Sequence, residues 1–339
     1  MTKTTRRSLI AIGIAIILLL ICFAVLPKTS ASAEEASALT ANVDFGGGSG
    51  TATDPYLIKN ATQLKNIQNT ISYDGQTQSD RISASFKLAN DIYLSGIWTS
   101  IPAFLDGTFD GDGHKIYNLK LSVDIDSGRF CYGLFEKVGR GTIKNLFLSN
   151  VLVAYPSGKT ASNSLFVGAV AGLNEGTISD CNVSGALDTT YLYNVNIGGI
   201  VGANEGSVIN CLNAASVTGS GSVGGIAGLN WYNGKVTGCE NSGSANYRWK
   251  EEDRYAGGIV GRNIDNASIT NCSNLKQAQI VYVGPWTLLS PRPCMGQIAG
   301  WFKSGTYYGN TWSGTCDYHL LHGNQDMYCK EEQFGRTGD

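Results

Sequence analysis

The three histidines of the chain are the residues that could bind a catalytic metal. They are His114, His319 and His322. A zinc peptidase needs the motif His-Glu-x-x-His, which places two imidazoles on one helical face beside a general base. His319-Leu-Leu-His322 has a shorter spacing and no glutamate between its histidines. We therefore predict no metal site and no cofactor, and interpret this pair as part of a polar C-terminal loop.

A group of aspartates, Asp106, Asp110 and Asp112, is the best candidate for acid–base or calcium chemistry. Paired carboxylates serve as acid and base in glycosidases, and oxygen-rich glycine turns hold calcium. However, Gly-Asp-Gly is also ordinary turn chemistry, and we favour that interpretation. A polysaccharide lyase would need a basic residue clustered with several calcium-binding acids, and the sequence contains no such cluster. We expect no catalytic residue.

Aromatic residues in segments of variable length are the best candidates for ligand contacts. Aromatic planes suit sugar rings and protein hot spots, and loops on a rigid scaffold commonly carry function. The alternative is that these side chains pack along the flank of the fold. The candidate binding residues are Trp231, Tyr232, Tyr247, Trp249, Tyr255 and Trp286.

Short repeats must position these residues, and self-similarity decides the fold. Five segments align on the pattern Gly-Gly-Ile-x-Gly-x-Asn, the first with Ala-Val in place of Gly-Ile and the last degenerate, and a weaker copy begins at Tyr132. The five segments are Gly168–Asn174, Gly198–Asn204, Gly224–Asn230, Gly257–Asn263 and Gly296–Phe302. Such units bury their apolar faces only by stacking, which predicts one interior column of Ile200, Ile226, Ile259 and Ile298. The asparagine that ends each pattern tolerates the left-handed conformation that turns need, and we interpret it as a turn residue.

Each repeat continues with a turn and a short apolar segment that ends in cysteine. The four cysteines at this position are Cys181, Cys211, Cys239 and Cys272. Ile178 and Cys181 are three residues apart, so both point inward only if the chain bends between them. The residue before each cysteine tolerates such a bend, and a second column is predicted from Ile178, Val236 and Ile269 with either Val208 or Ile209.

The nine cysteines allow two interpretations. We favour a stack of four mostly reduced, buried thiols at the repeat position. Disulfides between neighbouring coils are the alternative in an oxidising compartment. Cys316 and Cys329 flank a loop outside the repeats and are candidates for pairing.

The repeats resemble the GLUG motif of bacterial surface proteins. The likeness rests on Gly-Gly-Ile-x-Gly-x-Asn with Thr-Ile-x-Asn-Cys, and on the preceding segments 45–58 and 109–119. It implies an all-β, right-handed parallel β-helix of the pectate-lyase-like type. Similar repeats lie beside zinc peptidase domains in the immunoglobulin A1 protease family and in large adhesins, but the repeats themselves carry neither activity. A short helix at Ala61–Ile67, capped by a threonine or its neighbour, is predicted to cover the N-terminal end.

The N-terminus carries an export signal. Basic residues precede an apolar run from Leu9 to Leu26, and Ala31-Ser-Ala33 fits a signal-peptidase site. A retained membrane anchor is the alternative. Cleavage after Ala33 would change the net charge from −2 to −6, because four basic and no acidic residues are lost. A mildly acidic body without a basic cluster argues against nucleic acid as a partner.

The sequence thus predicts a secreted or cell-surface protein that displays loops on a rigid β-helix. Its expected partners are glycans or extracellular proteins, and membrane contact is expected only through an uncleaved N-terminal segment. Two alternatives stay open, a carbohydrate-active β-helix enzyme and the non-catalytic front part of a larger surface peptidase. The predicted organisation is a signal peptide at 1–33, a linker at 34–43, an N-terminal cap at 44–131, repeats at 132–312 and a tail at 313–339.

Overall fold

The fold is a parallel β-helix whose coils each pass through four sheets. It was obtained as a computed structural model. The structure describes residues 45–72, 81–104, 106–123, 128–154, 164–192, 194–248, 255–275, 278–284, 294–313, 315–320 and 327–328. The predicted signal peptide and linker lie outside this range. Within the described residues no helix has the length and apolar character needed to cross a membrane.

We number the sheets in the order in which one coil visits them. Sheets 1 and 2 contain the two halves of the glycine-rich pattern and are joined at its corner. Sheet 1 consists of Cys131–Tyr132, Leu165–Gly168, Val195–Gly198, Ser222–Gly224, Tyr255–Gly257 and Cys294–Gly296. Sheet 2 consists of Phe135–Val138, Ala171–Asn174, Val201–Asn204, Ala227–Asn230, Val260–Asn263 and Ala299–Phe302.

Sheets 3 and 4 complete each coil and extend to the N-terminal part. Sheet 3 consists of Tyr56–Ile58, Phe86–Leu88, Thr108–Asp110, Thr142–Lys144, Thr177–Ser179, Ser207–Ile209, Lys235–Thr237, Ser268–Thr270 and Tyr307–Tyr308. Sheet 4 consists of Ile92–Tyr93, Lys115–Tyr117, Lys120–Ser122, Phe147–Ala154, Asn182–Asp188, Leu212–Asn213, Ser216–Gly219, Glu240–Asn241, Ala245–Arg248, Ser273–Asn274, Gln279–Gly284, Thr311–Trp312, Thr315–Leu320 and Met327–Tyr328. Thr315–Leu320 pairs in parallel with Gln279–Gly284, so sheet 4 continues beyond residue 312.

The two predicted interior columns are confirmed. Ile200, Ile226, Ile259 and Ile298 are fully buried, and each backbone N–H donates to the carbonyl of the next, for example Ile226 to Ile259 at 2.9 Å. In sheet 3, Ile178 pairs with Val208, which pairs with Val236 and then Ile269. Val208 is therefore the inward residue of its strand, and Ile209 is only partly buried.

The bend before each cysteine is also confirmed. Asp180, Asn210, Gly238 and Asn271 have φ values of 53°, 51°, 63° and 54°. The left-handed conformation turns the chain within one residue, so that the apolar residue and the cysteine three positions later both face the interior. The four cysteines are buried and free.

The prediction for the asparagine after Gly-x-x-Gly is wrong. These asparagines lie in the strands of sheet 2 rather than in left-handed turns. They form a buried amide ladder in which Asn174 Nδ2 donates to Asn204 Oδ1 at 2.8 Å, Asn204 to Asn230 at 2.8 Å and Asn230 to Asn263 at 2.7 Å. A side-chain amide has both a donor and an acceptor, so the N–H of one asparagine donates to the amide oxygen of the asparagine in the next coil. A second ladder joins Asn213, Asn241, Asn274 and Gln297.

A short helix, Ala61–Asn66, covers the N-terminal end, as predicted, and a 3₁₀ turn, Ile67–Thr70, follows it. The capping residue is Asn60, whose side chain accepts from the Gln63 N–H at 3.0 Å. Leu64 and Ile67 are fully buried against the first coils. A two-stranded antiparallel sheet of Ile71–Ser72 and Arg81–Ile82 follows.

A candidate ligand-binding seam

Sheets 1 and 2 approach each other closely, and each contributes one row of buried or partly buried side chains to the strip between them. A Cβ atom on Gly202 would lie 2.3 Å from the Val167 backbone nitrogen, so only glycine permits this approach. The row on sheet 1 is Phe166, Asn196, Ser222 and Tyr255, which occupy one paired position in successive coils. The row on sheet 2 is Leu173, Ala203, Leu229, Arg262 and Trp301. We call the strip formed by these two rows the seam.

The middle of the seam carries an aromatic cluster. Trp231 follows the sheet 2 strand Ala227–Asn230 in a tight turn, closed by the Gly234 N–H donating to the Trp231 carbonyl at 2.8 Å. Its ring centroid lies 6.2 Å from that of Phe166 and 4.6 Å from that of Tyr232. Tyr232 is 56% exposed. The turn thus presents a half-buried indole edge and an exposed phenol at the seam.

A cation stacked on two aromatic rings follows one coil further on. The Arg262 guanidinium carbon lies 4.5 Å from the Trp301 ring centroid and 5.3 Å from that of Tyr255. The Tyr255 and Trp301 rings are themselves stacked, with centroids 4.9 Å apart. Cation–π contacts of this kind hold a guanidinium in place without neutralising its charge.

A cavity of about 200 Å³ lies between these two groups. Its wall combines the aromatic side chains of Phe166 and Trp231 with Arg262 and with polar groups of Asn196 and Ser222. Small-molecule pockets usually measure about 300–1,000 Å³. The cavity therefore has room for one ring of a longer ligand, with the remainder lying along the seam.

The N-terminal part of the seam is acidic and partly neutralised. Lys137 Nζ lies 2.6 Å from Glu175 Oε1. Burial raises the pKa of the Glu205 carboxyl, and the charge of Glu175 raises it further, against the opposing effects of Lys137 and the Trp231 indole. The environment of Glu205 therefore favours the protonated form of this carboxyl.

The aspartate group at the N-terminal turn consists of paired charges. Arg140 binds Asp106 through two hydrogen bonds, at 2.8 and 3.2 Å. Lys144 lies 3.2 Å from Asp110, and Lys87 lies 2.9 Å from Asp112. Burial raises the pKa of Asp110, but hydrogen bonds from Asn145 and the Asp112 N–H, with Lys144, outweigh this effect and lower it. Across the described residues, no group of three histidine, cysteine or acidic side chains has the geometry to hold a metal ion.

Comparison with known proteins matches the sequence of one coil to a described repeat. The family model of the GLUG motif matches residues 253–275. These residues include one complete passage through the four sheets, from Tyr255–Gly257 to Ser273–Asn274. The chain carries the GLUG motif on a parallel β-helix. Both Tyr255 and Arg262 of the seam lie within the matched GLUG repeat.

Two curated relatives share part of this GLUG-bearing chain. Halomucin from Haloquadratum walsbyi is 36% identical over 146 residues, and a candidate Gly-rich membrane protein from Evansella cellulosilytica is 32% identical over 198 residues. The matches cover 41% and 55% of this chain, but only 2% and 21% of those relatives.

A solved structure shares the fold. A candidate immunoglobulin A1 protease from Bacteroides ovatus has a TM-score of 0.62 and 21% sequence identity to the GLUG-bearing chain. The alignment covers 85% of this chain and 83% of that protein. At this identity the likeness shows the fold alone.

The structure separates the aromatic residues predicted from sequence. Trp231 and Tyr232 lie at the seam, and Tyr255 supports it although only 8% of Tyr255 is exposed. Tyr247 is fully buried inside the solenoid, so the prediction that it lies on a binding surface is wrong. It occupies an inward position of the strand Ala245–Arg248, in which buried and outward residues alternate. Trp249 and Trp286 lie outside the described residues.

Among the nine seam residues, sequence reasoning singled out only Tyr255; the missed residues include Phe166, Arg262 and Trp301. Arg262 and Trp301 occupy the variable position of the pattern Gly-x-x-Gly-x-Asn, where the other copies carry Leu173, Ala203 and Leu229. The aligned repeats therefore contained a signal for Arg262, which is charged at a position that is apolar in the other copies. Phe166 has no such signal, because it precedes the repeat pattern.

Proposed function

We propose that the chain is an exported, non-catalytic surface module that binds glycans through the seam. The observation that carries this proposal is the cavity in which Phe166 and Trp231 stand beside Asn196 and Ser222. Sugars present both an apolar ring face and a rim of hydroxyl groups. A cavity with aromatic walls and polar side chains matches both features.

The scaffold suits this role because every seam residue is fixed by backbone pairing to neighbouring coils. Phe166, Asn196 and Ser222 are in register along sheet 1. Preorganised side chains lose little conformational entropy on binding. Partial matches to halomucin and to a Gly-rich membrane protein are consistent with a location outside the cell or at its surface.

A glycan array probed with the full chain tests the proposal. We expect binding to a subset of glycans, and at least a tenfold loss of affinity in Trp231→Ala because the stacking surface is removed. Tyr308→Ala is the matched control, since Tyr308 is 58% exposed on sheet 3, away from the seam. If Trp231→Ala fails to fold in thermal melting, Tyr232→Ala replaces it. The absence of any glycan that binds, or equal losses in the seam and control variants, would refute the proposal.

The same glycans test whether the module is non-catalytic. We expect no release of reducing ends during prolonged incubation with the chain. Glu205 is the carboxyl to examine, because the pKa of Glu205 is raised and its side chain lies beside Trp231. Cleavage by the parent chain that is lost in Glu205→Gln would show that the chain is a carbohydrate-active enzyme rather than a binding module.

A further inference from the structure

The seam contains a cation that has no anionic partner in the described structure. Arg262 has no carboxylate within 4.0 Å among the described residues, whereas Arg129, Lys137 and Arg140 each have one. The Arg262 Nε atom is buried, and within the described ranges it has no hydrogen-bond partner. An unpaired buried donor costs about 1–3 kcal/mol, more when the group is charged. The wall of the cavity therefore includes a charged donor whose bonding capacity is unused.

The position of this cation is fixed by its neighbours. Trp301 and Tyr255 hold the guanidinium through cation–π contacts at 4.5 and 5.3 Å. Leu229, in the preceding coil, and Ile264 also line the cavity and offer no countercharge. A guanidinium held by aromatic rings is preorganised to bind a planar carboxylate through two parallel hydrogen bonds.

Neutral hydrogen-bonding groups stand beside the cation. Within the described residues the side chains of Asn196 and Ser222 form no hydrogen bond, although both line the cavity with Arg262. They are available to hydroxyl groups. The two ring-stacking residues, Phe166 and Trp231, lie in the same wall.

We propose that the seam recognises a carboxylate-bearing sugar, with the carboxylate on Arg262 and the ring against Phe166 and Trp231. This inference rests on the proposed glycan-binding function and specifies its ligand class. The aromatic wall favours a sugar over an acidic peptide, and the size of the cavity favours a single acidic ring. Uronates and sialates share this chemistry, and the test separates them.

The test measures the affinity of the full chain for a hyaluronan hexasaccharide and for sialyllactose by titration calorimetry. Each ligand is compared with its carboxyl methyl ester, which keeps the sugar but removes the charge. We expect esterification to weaken binding of the preferred ligand at least tenfold. Arg262→Gln should weaken binding of the free acid by a similar factor and leave the affinity for the ester unchanged. Esterification and the substitution remove the same interaction, so their effects should not add.

Two further variants keep the test decisive. Arg262→Lys retains the charge without the planar fork and should give an intermediate affinity; it also serves if Arg262→Gln does not fold. Lys235→Gln removes one positive charge from an exposed position on sheet 3 and should leave the affinity for both ligands unchanged.

The outcomes distinguish this inference from the proposed function. If neutral glycans bind as tightly as acidic ones and only Trp231→Ala abolishes binding, the seam binds sugars but the carboxylate inference is refuted. If an acidic peptide binds through Arg262 and no sugar does, both are refuted. If no glycan binds at all, the proposed function falls and this inference with it.

Discussion

In the thiol stack, each of the four cysteine sulfurs lies within 4.0 Å of two backbone carbonyl oxygens, either of which can accept its one S–H hydrogen. Cys239 Sγ, for example, lies 3.5 Å from the Val208 carbonyl of the preceding coil and 3.5 Å from the Thr237 carbonyl of its own coil. A thiol is a weak donor and fits such a site only when it is protonated. Burial raises the pKa of Cys211 and Cys239 well above the ordinary value. The neighbouring Cys239 thiol and burial also raise the pKa of Cys272.

These raised pKa values predict a loss of stability at alkaline pH. Below the thiol pKa of the unfolded chain, about 8.5, both states are protonated and the stabilising effect is complete. As pH rises above that value, only the unfolded state loses protons. The free energy of unfolding should then fall by about 1.4 kcal/mol per pH unit for each of the three thiols. Urea titrations between pH 8 and pH 10.5 measure this slope.

The double variant Cys211→Ala with Cys239→Ala should remove about two thirds of the contribution that these three stacked thiols make to this slope. Burial also raises the pKa of Cys131, to about 12, and this contribution is the same in the variant and the parent chain. Val236→Ala is the control, because it truncates the same core without removing a titrating group. It should lower the free energy of unfolding at all pH values and leave the slope unchanged. Identical slopes in the double variant and the parent chain would contradict the prediction that the buried thiols cause this pH dependence.

At the residue scale, the sequence predicted the backbone conformations that local residue spacing determines. The bends at Asp180 and Asn271 follow from the three-residue spacing of inward positions, and both were predictable. The ladder asparagines were not, because a left-handed turn and a buried amide pair both suit asparagine. Only the register between coils brings Asn204 next to Asn230 and decides between these conformations.

At the scale of the strand, the close approach of sheets 1 and 2 determines which positions must be glycine. A Cβ atom on Gly228 would lie 2.5 Å from the Ile197 backbone nitrogen and 2.7 Å from the Asn196 carbonyl carbon. Neither backbone atom can move without breaking the pairing of its strand. The same contact recurs at Gly261, 2.7 Å from the Val223 nitrogen.

We therefore predict that Gly228→Ala lowers the free energy of unfolding by about 3 kcal/mol, at the upper end of overpacking effects. Gly113→Ala is the control: its added Cβ meets nothing within 4 Å, and only the φ of +79° opposes it. That strain should cost about 1–2 kcal/mol. Denaturant unfolding of the two variants gives the comparison, and an equal or smaller loss for Gly228→Ala would contradict the close approach.

The elements themselves were largely predictable. The glycine pattern predicted the strands of sheets 1 and 2, and the apolar segment after it predicted sheet 3. The strand Thr315–Leu320 was not predicted, because the glycine and cysteine signals end before it. The seam was not predictable as a site, since it combines outward-pointing residues of neighbouring coils that are 26 to 39 positions apart in sequence.

At the scale of the whole molecule, the two ends of the solenoid differ. The N-terminal end is covered by Ala61–Asn66, with Leu64 fully buried, and by a cluster of phenylalanines. Within that cluster the Phe104 and Phe135 ring centroids are 5.5 Å apart. At the last coil, Tyr308 and Thr311 are exposed. In stacked repeats each coil is stabilised mainly by its neighbours, so the end that the described residues cover less should open first.

Hydrogen exchange should therefore follow an order along the chain. We expect the backbone amides of Tyr307–Tyr308 to exchange at a lower free energy than those of Ile226 and Ile259, with Tyr56–Ile58 in between. Leu64→Ala should speed exchange at the N-terminal end and leave the C-terminal end unchanged. Equal protection in all coils would mean that the solenoid opens only as one unit.

The amide ladder has a consequence for how such a chain can change its length. Each rung of Asn174, Asn204, Asn230 and Asn263 presents the same donor to one side and the same acceptor to the other. A duplicated coil would insert without leaving any amide unmatched, whereas the loss of one ladder strand without the rest of its coil would leave the two neighbouring rungs unpaired. Growth by whole turns is thus inexpensive for this architecture, and the lengths of its arcs can vary freely between fixed rungs.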